Sequence, residues 1–72
     1  MNSHLTKIYI AMIENRAVVV ETNLSSFIRE LKSLDIGMSS LSYYDKRFRE
    51  TNLIYHVTSI GRTYTLQKIV FN

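Results

Sequence analysis

Lys46, Arg47 and Arg49 put three cations within four residues of the stretch SSLSYYDKRFRE, residues 39–50, flanked by Tyr43 and Tyr44. Lysine and arginine neutralise phosphates and release counterions, and tyrosine stacks on bases or donates to a phosphate oxygen. This grouping is the chemistry of a nucleic-acid backbone contact. Asp45 and Glu50 interrupt the cluster, so a plainer chemistry competes with it. In that alternative Arg47 and Arg49 pair with local carboxylates on a solvated helix face.

The residue types that carry out catalysis are scattered. His56 lies beside Thr58, Thr65 and Gln67 on what reads as the polar face of a strand. With a nearby arginine or tyrosine it could supply acid–base chemistry of the kind a small basic ribonuclease uses. No second base, nucleophile triad or carboxylate pair accompanies it, so no catalytic residue is assigned and an enzyme is not expected. The chain has no cysteine, which excludes disulfides and thiolate zinc sites. His4 and His56 alone cannot build a structural metal centre. Gly37 and Gly61 stand singly and form no phosphate-cradling loop. No metal, cofactor or small-molecule substrate is expected.

Positioning the basic cluster requires a fold. The chain has 72 residues, 46% of them hydrophobic, and no proline, which fits one folded domain over 1–72 and not a disordered tail. A chain this short buries only about 60% of its unfolded surface, so its core must be used fully or shared. KIYIAMI and AVVVE alternate and are rich in β-branched residues, which predicts a hairpin over about 6–22. A three-residue connection, Glu14 to Arg16, places Met12 opposite Val18 and Ile10 opposite Val20 on a face assigned to the core.

Leu24, Phe27, Ile28, Leu31 and Leu34 recur at helical spacing, predicting a helix over about 23–36 capped by Asn23 or Thr22 and ended by Gly37. Leu41, Tyr44 and Phe48 share one face of a second helix over about 40–50, with Ser39 or Ser40 as cap and Asn52 closing the far end. The remainder predicts a hairpin over about 53–71, turning at Ile60-Gly61 through a four-residue loop. In that register Val57 faces Tyr64 and Tyr55 faces Leu66 on the apolar side. The order ββ-αα-ββ makes an α+β domain, an antiparallel sheet of two hairpins with both helices packed on one face.

A helix, a short turn with glycine, and a second helix bearing serines and cations resemble a helix-turn-helix DNA-binding unit. The hairpin that follows resembles the wing of the winged variety, so the likeness covers residues 23 to 71. In that family the second helix enters the major groove with residues near its start at the base edges. The resemblance implies that Ser39, Ser40, Ser42 and Tyr43 lie near bases or sugar edges. Lys46 and Arg47 would contact phosphates, together with Arg62 at the hairpin tip.

The other face of the first hairpin, with Tyr9, Ala11, Ile13, Ala17 and Val19, is unusually apolar for a side turned to solvent, and Ile54, Ile69 and Phe71 extend it. A contiguous apolar patch marks a contact surface, here an interface for a homodimer spanning two half-sites. The net charge of +3 permits an acidic partner without demanding one. No apolar run is long enough for a membrane span, and the expected compartment is the cytoplasm. The expected function is an accessory or regulatory protein that binds nucleic acid, duplex DNA first, through the second helix and second hairpin tip. The alternative is a protein-interaction module that docks through an apolar sheet face and binds no nucleic acid.

Overall fold

The computed structural model describes residues 7–34, 38–57 and 61–71. Six elements follow the expected order: β1 (Lys7–Ile13), β2 (Arg16–Glu21), α1 (Leu24–Leu34), α2 (Leu41–Glu50), β3 (Leu53–Val57) and β4 (Thr63–Val70). All pairings are antiparallel, in the sheet order β2-β1-β4-β3. The first and last strands therefore lie side by side at the centre, from Lys7 opposite Val70 to Met12 opposite Thr65. The fold is α+β, with both helices on one face of the sheet.

The first hairpin turns in two residues, not three. Glu14 and Asn15 have φ of 52° and 65°, the doubly left-handed conformation of a turn whose twist matches the flanking strands. Ile13 then pairs with Arg16 and Met12 with Ala17, and a bulge at Val18 restores the expected pairing of Ile10 with Val20. The bulge absorbs the one-residue difference between the two connections.

Which face is buried is the main correction. Tyr9, Ala11 and Val19 are buried in the core and Ile13 packs against it, whereas Ile10, Met12, Val18 and Val20 turn away from the helices. KIYIAMI is apolar on both faces, so its alternation carries no sign. Volume decides. Tyr9 meets the ring of Phe27 at 5.6 Å between centroids and that of Phe48, edge-on, at 5.4 Å. Ala11 beside it has no exposed surface, a small side chain that lets both helices approach the sheet.

The second hairpin is shifted by one residue from the expected register. Ile54 faces Leu66, His56 faces Tyr64, and Tyr55 faces Thr65, so the connection runs over residues 58–62. A one-residue slip turns a whole strand over. Ile54, placed outward by the sequence reading, is buried; Tyr55, placed inward, is 69% exposed. The expected turn positions Thr58 and Ile60 lie outside the described residues, as do His4 and Gly37.

The helices sit close to their predicted bounds. The Asn23 side-chain oxygen accepts from the Ser26 amide at 2.8 Å, and Phe27, Ile28 and Leu31 are buried while Leu34 is exposed. In α2, Ser40 caps the helix by accepting from the Tyr43 amide. Tyr44 and Phe48 are buried, but Leu41 is 39% exposed, so the inward anchor at the start of α2 is Met38 in the preceding turn. The Tyr44 hydroxyl accepts from the Ser39 amide at 3.2 Å and donates to the Met38 sulfur at 3.5 Å. At the far end Thr51, not Asn52, is the cap, its amide bonded to the Arg47 carbonyl. The Lys68 ammonium reaches across from β4 to the Phe48 carbonyl at 2.7 Å, placing a cation where the helix dipole favours one.

Candidate functional site

Two surfaces compete for a role: the outer side of α2 and the sheet face that the helices leave uncovered. On α2, Ser42 and Lys46 are exposed and Tyr43 is 46% exposed, with Tyr43 stacked edge-on against Tyr44 at 5.1 Å. Ser39 is half-buried with its amide held by Tyr44, and the Ser40 hydroxyl is occupied as the cap. These two serines start the helix, and Ser40 is exposed there while its hydroxyl serves as the cap.

The arginines follow the plainer chemistry. Arg49 pairs with Asp45 at 3.0 Å and Arg47 with Glu50 at 3.6 Å. The Arg47 Nε is itself buried with no hydrogen-bond partner, so its stem lies down on the molecule. Among the described residues of α2, Lys46 is the cation outside an ion pair. Arg62 is exposed but comes from the β3–β4 connection, on a different element. The helix thus gathers Tyr43, Lys46 and Arg47 within one turn, with one of the two cations neutralised.

His56 is not on a solvated face. It is half-buried on the helix side of β3, edge-on to the Tyr44 ring at 6.4 Å, with a buried Nε2 that has no hydrogen-bond partner. Among the described residues no group of three or more His, Cys, Asp or Glu could hold a metal ion, and no helix is long and apolar enough to cross a membrane.

The open sheet face is built by strand alternation. Residues opposite each other in the ladders share a face, so Val20, Ile10, Gln67 and Leu53 form one row across all four strands. Ala17, Met12, Thr65 and Tyr55 form the next, and Ile8 beside Ile69 a shorter third. Val20 is 55% exposed and Leu53 39%, while Ile8, Ile10, Met12 and Ile69 are half-buried. No charged side chain belongs to these rows. A shallow depression of about 340 Å³, lined by Met12, Glu14, Asn15, Thr63 and Thr65, marks its turn end. Of the five residues expected on an outward interface, Tyr9, Ala11, Ile13 and Val19 face the helices, and Ala17 is exposed opposite Met12.

No family model, no curated protein and no solved structure matches this chain. The sequence reading missed Ile8, Ile10, Met12, Val20 and Leu53 because their hydrophobicity assigned them to the interior. The signal that could have found them is that, beyond Lys7, β1 carries no charge on either side, which leaves neither side suited to water.

Proposed function

We propose that this chain is a protein-interaction module that docks through its open sheet face. One observation carries the reading: three rows of side chains centred on Ile10 and Gln67 are predominantly apolar, uncharged and, among the described residues, uncovered. A sheet with helices on one side ordinarily turns polar residues to the other, and uncovered apolar patches of this extent mark contact surfaces. The test is Ile10→Lys. It should leave circular dichroism unchanged while abolishing association through this face; a variant that loses its fold would overturn the reading, because Ile10 would then be core.

A second reading, duplex-DNA binding through α2, is supported by the exposure of Tyr43 and Lys46 on one side of the helix. With Arg47 and Arg49 engaged by Glu50 and Asp45, few phosphates would be neutralised, so binding should be weak and only mildly salt-dependent. A gel shift at low salt, repeated with Lys46→Ala and Arg47→Ala together, tests it; no retarded band for the unaltered protein removes it.

A further inference from the structure

We infer that the occupant of the open face is a second copy of this chain, stacked sheet against sheet about a two-fold axis near Gln67. The inference rests on the docking reading above and names the partner. In a two-fold contact the residues near the axis meet their own copies. Any ammonium or carboxylate there would face a like charge, at a heavy cost in association. The rows through Ile10 and Met12 hold none.

Gln67 is the long polar side chain of the central row, flanked by Ile10 on β1 and Leu53 on β3. An amide carries both donors and an acceptor, so two copies related by the axis can bond each other reciprocally, which two carboxylates or two ammonium groups cannot. The edges of the sheet are poorly suited to the other common mode of strand association. The bulge at Val18 breaks the β2 ladder, and β3 is only five residues long. Both features blunt edge-to-edge pairing, leaving the face.

Size agrees. Four strands about 4.8 Å apart and about six residues long at about 3.3 Å each span a face of roughly 20 by 20 Å. That is about 400 Å² in projection, which the relief of the side chains raises towards the roughly 600 Å² per partner at the small end of stable interfaces. Two faces meeting at about 10 Å layer spacing make an ordinary sandwich core.

The experiment is a charge exchange at position 67, read by sedimentation equilibrium, with circular dichroism to confirm folding. The unaltered protein should be a dimer at tens of micromolar. Gln67→Glu and Gln67→Lys should each weaken self-association by at least about 100-fold, and mixing the two should restore a one-to-one dimer. A protein that stays monomeric at every concentration would overturn the second copy as occupant while leaving the docking face to another partner. A dimer indifferent to both Gln67→Glu and Ile10→Lys would overturn the inference and the docking reading together.

Discussion

The two sides of β1 differ by one residue in sequence and by everything in their surroundings. Tyr9 and Ala11 lie under both helices, 4% and 0% exposed. Ile10 and Met12, between and beside them, look the other way, with none of the described elements layered over them. By hydrophobicity alone the aliphatic pair is the better core. Shape reverses the choice: a ring that touches Phe27 and Phe48 at once, next to a methyl that lets the helices close in, fits a two-helix layer better than two long aliphatic chains. The more hydrophobic side is therefore the one left over, which is why the leftover reads as an interface.

Two tyrosines make the sharpest contrast. Tyr9→Ala should cost about 3–5 kcal/mol, the usual loss for a large aromatic in a core, and most of the stability of a domain this small. Urea denaturation of Tyr9→Ala should show little or no native baseline. At concentrations low enough to keep the chain monomeric, Tyr55→Ala, on the open side of an edge strand, should stay within about 0.5 kcal/mol of the unaltered protein. Equal effects at the two positions would erase the distinction between the faces.

Smaller effects test how the covered side is fastened. Tyr44→Phe removes the hydroxyl that accepts from the Ser39 amide and donates to the Met38 sulfur. It should cost about 1–2 kcal/mol, part of it from leaving the Ser39 amide unpaired. Hydrogen exchange at Ser39 should quicken more than at residues of α1. Ser40→Ala removes the cap of α2 and should cost about 1 kcal/mol, measured by thermal melting. If Ser40→Ala is silent, the cap seen at Tyr43 contributes little in solution.

Much of this fold is legible in the residues. The period of Phe27, Ile28 and Leu31, the Asn23 cap and the Ser40 cap define two helices, and the β-branched runs on either side of them define four strands. What is not legible is sign and register. KIYIAMI offers an apolar side whichever way it turns, and a connection of four or five residues after β3 differs by the single step that exposes Tyr55 and buries Ile54. Both are decided by long-range packing against α1 and α2. The candidate surfaces divide along the same line. Tyr43 and Lys46 project from α2 as their helical positions require, because local geometry suffices to place them. The inward lean of Arg47 and the membership of the open face depend on contacts between elements distant in sequence.

The most direct test is a pair of lysines on neighbouring residues of β1, followed by urea denaturation with far-ultraviolet circular dichroism. Ile10→Lys should keep a cooperative unfolding transition, since its ammonium enters water on the open side. Ala11→Lys should abolish that transition, because a charge would be forced between the sheet and both helices. A folded Ala11→Lys beside an unfolded Ile10→Lys would contradict the assignment of the faces and everything built on it.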